Sequence, residues 1–190
     1  MEKLRKIVRN TIKESYDDFN YDYWKGANEP DTISNELYNL IATQYNNSRI
    51  IMSENDDINF KPKTQQSEPD TKPKGLWYGI GTSWIDWVRN EMPSWERNNI
   101  FSIDIDDSKI IKISNENELL EFNENYKSEM GNNPLSLIDW KKVSKDYKGI
   151  EISPYLYKMR FDRRVFWYYG WDVSSGCIWG NGVIKNIKKL

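Results

Sequence analysis

The chain has 190 residues, 38% hydrophobic and 29% charged, with a net charge of −2. That length supports one domain with its own core, and the charge balance gives no general basic field for nucleic acid. No apolar run approaches the ~18 residues of a membrane helix. Histidine is absent and cysteine occurs once, at Cys177. Histidine-activated nucleophiles, histidine general bases, histidine- or cysteine-built zinc sites and an intramolecular disulfide are therefore excluded. Any catalysis falls to carboxylates, Arg, Lys, Tyr, Ser or the lone Cys.

The opening MEKLRKIVRN carries no continuous apolar segment of a secretory signal. With one cysteine, this sets the expectation of a cytoplasmic protein. Apolar residues at helical spacing predict a helix over 3–19 and another over roughly 33–45, capped by Asp31, Thr32 or Ser34. Arg49–Ser53 (RIIMS) reads as a strand. Residues 54–73 are polar and hold Pro62, Pro69 and Pro73, so they read as a mobile loop within the domain.

Gly75–Ile80 (GLWYGI) is the next expected strand, followed by a short helix through Trp84, Trp87 and Val88 with Thr82 or Ser83 at its cap. Ile100–Ile105 and Lys109–Ile113 read as strands joined by a turn at Asp106-Asp107-Ser108. Asn115 and Glu118 make a capping-box pattern for a helix, and Leu137–Val143 predicts another. Gly149–Ser153 (GIEIS), Val165–Trp171 (VFWYYGW) and Cys177–Trp179 complete the expected strands. The fold class is α+β: N-terminal helices, then a mixed or antiparallel split sheet of short strands with short helices between them.

Seven of the nine tryptophans lie in two stretches, around Trp77–Trp95 and Trp167–Trp179. Both mix indoles with Gly, Ser and Asp, the composition of an aromatic-walled small-molecule pocket. Glu151 stands in a strand between Ile150 and Ile152, so it points to the opposite face from both and is the candidate catalytic carboxylate. Asp172 precedes a Val-Ser-Ser-Gly turn and is either a turn residue or a ligand contact at the pocket rim. Gly79–Ser83 (GIGTS) resembles a small phosphate-cradling turn, with Ser83 and backbone N–H groups facing an anion.

Arg49 opening one strand, GLWYGIGTS on the next and Glu151 on a late strand give a layout that resembles the ADP-ribosyltransferase fold from roughly Arg49 to Trp179. Gly81-Thr82-Ser83 stands where the arginine branch of that family carries Ser-Thr-Ser, and Gly149 where a second acidic residue often lies. The resemblance implies NAD as the nucleotide used, Glu151 as catalytic carboxylate, Arg49 and Ser83 as phosphate contacts, and Trp77 and Tyr78 as an aromatic wall. It also implies a macromolecular acceptor, protein or nucleic acid. Two other readings stay open from the residues alone. One is a non-catalytic nucleotide- or protein-binding module using exposed Trp and Tyr. The other is a glycosidase using Glu151 and Asp172 as a carboxylate pair.

Overall fold

The computed structural model describes residues 32–128 and 136–190. The helix expected over 3–19 lies outside the described residues. The first described helix, α1 (Asn35–Gln44), starts at Ser34, whose hydroxyl accepts the Leu37 N–H at 3.1 Å and satisfies one of the free donors of the first turn. Strands β1 (Arg49–Ser53) and β2 (Leu76–Ile80) follow, and then helix α2 (Ser83–Glu91). Next come β3 (Asn99–Ile105), β4 (Ile111–Ile113), α3 (Glu116–Tyr126) and α4 (Trp140–Asp146). The chain ends with β5 (Gly149–Ile152), β6 (Ser175–Ile178) and β7 (Ile184–Lys189).

The architecture is α+β. Its strands share one seven-stranded ladder in the order β4-β5-β6-β2-β1-β3-β7. The β4–β5 pair is parallel and every other neighbouring pair is antiparallel. The capping box at α3 forms as the sequence suggests, with Asn115 Oδ1 accepting the Glu118 N–H at 3.1 Å. Its glutamate reaches one residue further back, to the Ser114 N–H at 2.6 Å.

Two local expectations are corrected. Val165–Trp171 is not a strand. Arg163–Gly170 forms short 3₁₀ turns interrupted at Val165, and Asp162 caps them by accepting the Arg164 N–H at 2.9 Å. A short aromatic run does not distinguish a buried strand from a buried helical segment by periodicity. Here burial of Val165, Trp167, Tyr168 and Trp171 matches a helical turn. The Asp106–Ser108 turn also does not fold β3 back onto β4. It leads through a 3₁₀ turn (Asp107–Lys109), and β4 crosses to the far edge of the sheet beside β5.

Alternation along the strands divides the core. One sheet face carries Ile51, Tyr78, Phe101, Ile103 and Ile178, packed with Ile110 and Val183. On the other, Ile113, Ile150, Ile152 and Cys177 meet Phe122 of α3, Val143 of α4 and the 3₁₀ segment. Ile50 and Ile100 pack with Ile41 of α1 and Ile85 of α2.

The second tryptophan-rich stretch is mainly core. Trp167, Trp171 and Trp179 are at most 3% exposed. Buried indoles in a core need acceptors for their N–H groups, and Trp167 and Trp179 find them in Asn123 Oδ1 at 3.2 Å and the Tyr147 carbonyl at 2.9 Å.

Residues 54–73 hold no named strand, yet they are tied down in several places. Lys63 N–H donates to the Trp179 carbonyl at 3.0 Å, and Asp70 exchanges backbone bonds with Ile138 at 3.1 Å. The Gln65 side chain is buried and clasps Lys74 through both its amide atoms, at 2.7 and 2.9 Å. Composition does not show these contacts, because a polar side chain that satisfies buried backbone looks the same in sequence as one facing water.

Candidate functional site

Arg49, Tyr78 and Glu151 come from three strands and meet on one sheet face. The register explains how. Tyr78 of β2 lies opposite Gly176 of β6, and Gly176 lies opposite Glu151 of β5. Directly opposed residues of neighbouring strands share a face, so Tyr78, Gly176 and Glu151 form a row across three strands. Gly176 leaves the middle of that row open: a Cβ there would lie 2.3 Å from the Tyr78 hydroxyl oxygen. The phenol therefore passes over β6, and its hydroxyl donates to Glu151 Oε2 at 3.0 Å.

Arg49 approaches from β1 and lies over the Tyr78 ring, 5.9 Å from its centroid. Its guanidinium donates to both carboxylate oxygens, Nε to Oε2 at 2.6 Å and Nη2 to Oε1 at 3.3 Å. The same Nη2 donates to Asp107 Oδ1 at 2.5 Å. Lys112 of β4 completes the cluster, 2.9 Å from Asp107 and 3.8 Å from Glu151. The inner partners are largely covered, with the Arg49 and Glu151 side chains 16% and 10% exposed, whereas those of Asp107 and Lys112 are about half exposed, at 52% and 49%. The cluster thus has a buried carboxylate at its base and a charged rim in water.

The electrostatics follow from this burial. Desolvation disfavours the Arg49 cation, but the hydrogen bond and charge of Glu151 outweigh it and raise the guanidinium further above its already high ordinary value. Burial pushes Tyr78 well above 10.0, and the Glu151 charge adds to the rise. Burial opposes the charge on Asp107, yet Lys112 and Arg49 hold that carboxyl below 3.8.

Trp77 is not part of this cluster. Its side chain lies on the other face of β2, packed against the core that contains Cys177 and Trp171. The expected wall of Trp77 and Tyr78 around Glu151 therefore divides, with Tyr78 beside the carboxylate and Trp77 in a second site. That second site is a cleft of ≈ 250 Å³ lined by Met52, Lys72, Trp77, Trp84, Trp171 and Asp172 among others. Trp77 and Trp171 meet edge to face, 4.9 Å between centroids. Trp84 stacks on Trp87 at 4.9 Å.

Ser83 does not present a free hydroxyl to an anion. It donates to the Ser174 carbonyl at 2.9 Å and accepts the Ile80 N–H at 3.1 Å, closing the turn after β2. The Gly81 N–H donates to the Ser48 carbonyl at 2.8 Å. Gly81 has φ +57°, which glycine adopts without strain. GIGTS is a strand-to-helix turn in which the Ile80 and Gly81 N–H groups and the Ser83 hydroxyl already have partners within the protein.

Asp172 pairs with Arg160 at 2.8 Å at the rim of the tryptophan cleft. Glu151 and Asp172 thus belong to different clusters, Glu151 with Arg49 and Tyr78 and Asp172 with Arg160. Among the described residues, no group of three or more acidic or cysteine side chains is placed to hold a metal ion, and no helix is long and apolar enough to cross a membrane.

Asp107, Lys112, Gly176 and Lys72 belong to these two sites and were not singled out from sequence. A sequence signal for Gly176 exists in retrospect: a glycine inside a short strand marks close approach by another group.

The buried hydroxyls and thiol predict an alkaline transition. Tyr78 and Cys177 are held well above their ordinary values of 10.0 and 9.0, and burial also raises Tyr168. A group whose pKa is raised by folding contributes stability that is fully present below its unfolded pKa and is lost as pH rises through the folded value. The contribution is therefore intact below about pH 9 and falls progressively above about pH 10. Urea titrations across pH 7–11 show the midpoint dropping only in the upper part of that range. Absorbance at 295 nm shows tyrosines that ionise only as the protein unfolds. A midpoint flat to pH 11 contradicts the buried placement of these groups.

Compared with models of known families, with curated proteins and with solved structures, the chain matches none of them.

Proposed function

We propose that this protein is an NAD-using, ADP-ribosyltransferase-like enzyme in which Glu151 is the reacting-site carboxylate. The observation that carries the reading is the convergence of Arg49, Tyr78 and Glu151 from separate strands onto one carboxylate. A cation, a phenol and a carboxylate with no histidine suit this reaction. Its leaving group is already cationic and needs no activated nucleophile.

In the proposed reaction NAD is the substrate. The bond between ribose C1′ and the nicotinamide nitrogen breaks, and its electron pair neutralises the departing ring. Positive charge develops on the sugar. The Glu151 carboxylate, hydrogen-bonded to a ribose hydroxyl, stabilises that charge in a site largely screened from water. An acceptor oxygen or nitrogen forms the new bond to C1′ and gives up its proton to water. Arg49 offers the substrate pyrophosphate the donor it now shares with Asp107 at the exposed rim. Tyr78 fixes the carboxylate from below and keeps its proton at neutral pH. The partners are the nucleotide and a macromolecular acceptor in the cytoplasm.

The test is nicotinamide release from NAD by the full chain, with and without a panel of protein and nucleic-acid acceptors. Release that depends on enzyme concentration, with labelled ADP-ribose appearing on an acceptor or as free ADP-ribose, is the expected result. Absence of nicotinamide across the panel discards the reading.

A further inference from the structure

We infer that Asn181–Gly182 is a site of self-modification, where the Gly182 main-chain nitrogen attacks the Asn181 side chain and converts it to aspartate and isoaspartate without enzyme or cofactor. The chemistry is independent of the transferase reading. This is the one Asn-Gly step in the chain, and asparagine is a thermolabile residue.

The step lies in the exposed turn between β6 and β7. Among the described residues, neither the Asn181 carboxamide nor the Gly182 N–H has a hydrogen-bond partner. Glycine puts no side chain in the path of attack. The space beside it is open, since an added Cβ would have the Lys109 ammonium as its nearest neighbour, at 3.6 Å. Asn47–Ser48 provides the contrast. Asn47 is also exposed and precedes a small residue, but the Ser48 N–H is bound to the Tyr45 carbonyl at 3.0 Å.

The attacking species is the deprotonated peptide nitrogen, whose negative charge is shared with the Asn181 carbonyl oxygen. Lys148 Nζ donates to that oxygen at 3.3 Å, and a hydrogen bond from a cation favours the charged form. Lys109 donates to the Gly182 carbonyl at 2.6 Å and pairs with Asp106 at 3.0 Å, while Lys185 of β7 lies 4.0 Å from the same carboxylate. Lys63 approaches by its main chain, on the Trp179 carbonyl. The named ammonium groups outnumber Asp106 and leave the local field positive.

Hydroxide takes the Gly182 N–H proton. The nitrogen bonds to Asn181 Cγ and the Cγ–Nδ2 bond breaks. Nδ2 leaves as ammonia with a proton from water, which restores the hydroxide. Water then opens the cyclic imide. Attack at Cγ gives aspartate, and attack at the former main-chain carbonyl gives isoaspartate, with the chain now running through Cγ. That link adds one CH2 ahead of Gly182 and Val183, whose carbonyls hold Lys109 Nζ at 2.6 Å and the Asp106 N–H at 2.7 Å. Both belong to the turn that presents Asp107 to Arg49.

The test is incubation of the full chain at pH 8, folded and in urea, with peptide mapping and isoaspartate quantification over time. Product accumulates at Asn181 in the folded chain, at a rate that rises with hydroxide concentration, and Asn47 stays intact. Lys148→Met keeps the apolar stem and slows the folded reaction about threefold, the worth of an exposed charge contact. It leaves the rate in urea unchanged, which a merely structural role does not predict. Gly182→Ala slows the reaction in both states, and thermal unfolding checks that each variant folds.

Product at Asn181 in urea but not in the folded chain overturns the inference, because the native turn then blocks attack. Modification of Asn47 as fast as Asn181 overturns the selection by a free N–H. Equal folded rates in wild type and Lys148→Met overturn the role of Lys148. The isoaspartyl fraction, separated by ion exchange, unfolds at lower urea than the parent, and an unchanged midpoint overturns the coupling to the Asp106–Lys109 turn.

Discussion

Arg49→Ala lowers the stability of the domain by about 3 kcal/mol, a fall of roughly 6–12 °C in melting temperature for a chain of this size. The argument is one of uncompensated charge. Glu151 is held by two guanidinium contacts, at 2.6 and 3.3 Å, and by the Tyr78 hydroxyl. Removing the guanidinium leaves a largely buried carboxylate with the phenol as its main donor, since Lys112 stands 3.8 Å away.

Arg49→Lys recovers only part of the loss, because a single ammonium does not reproduce the two-pronged contact. The informative control is the double replacement Arg49→Met with Glu151→Met. It removes both charges and fills the space with apolar atoms, and buried pairs replaced in this way are often neutral or more stable. Stability near wild type in the double variant, beside a large loss in Arg49→Ala, shows that the ion pair is not retained for stability. A double variant as unstable as the single one shows instead that the cluster is needed to hold the sheet together.

The sheet was largely legible in sequence and the site only in part. Arg49–Ser53, Gly75–Ile80 and Gly149–Ser153 are bounded by turn residues and rich in branched or aromatic side chains, and all three form strands of the same sheet. Alternation placed Glu151 opposite Ile150 and Ile152, and it also placed Tyr78 opposite Trp77. Alternation within one strand does not say which face meets which partner.

That information lies in register and strand order. Tyr78, Gly176 and Glu151 align only because β6 sits between β2 and β5, and nothing local to Gly176 specifies that position. The aromatic run at Val165–Trp171 misled for a related reason. Its burial comes from packing under the sheet, and aromatic bulk fills such space equally well from a helical turn or a strand. The Ser83 and Asp172 contacts were hidden by partners distant in the chain, the Ser174 carbonyl and Arg160.

Glu151→Gln separates the chemical role of the cluster from its structural one. The amide keeps the shape of the carboxylate and can still accept a hydrogen bond from Arg49 or Tyr78 through its remaining oxygen. Its NH2 group replaces the other acceptor and meets a donor. The structural loss is modest, about 1–2 kcal/mol, well below that of Arg49→Ala. The catalytic loss is larger under the proposed reaction. A neutral amide does not offset the charge developing on the ribose, and removal of one such stabilising group lowers turnover by on the order of 10²–10³-fold, or roughly 3–4 kcal/mol. KM for NAD changes little, because the group acts in the transition state more than in ground-state binding. The measurement is nicotinamide release by wild type and variant at saturating NAD, below the unfolding transition of both. Equal turnover in the two removes Glu151 from the chemistry and leaves the Arg49–Tyr78–Glu151 cluster as a structural device. A fall in turnover with KM preserved assigns the carboxylate to the reacting sugar.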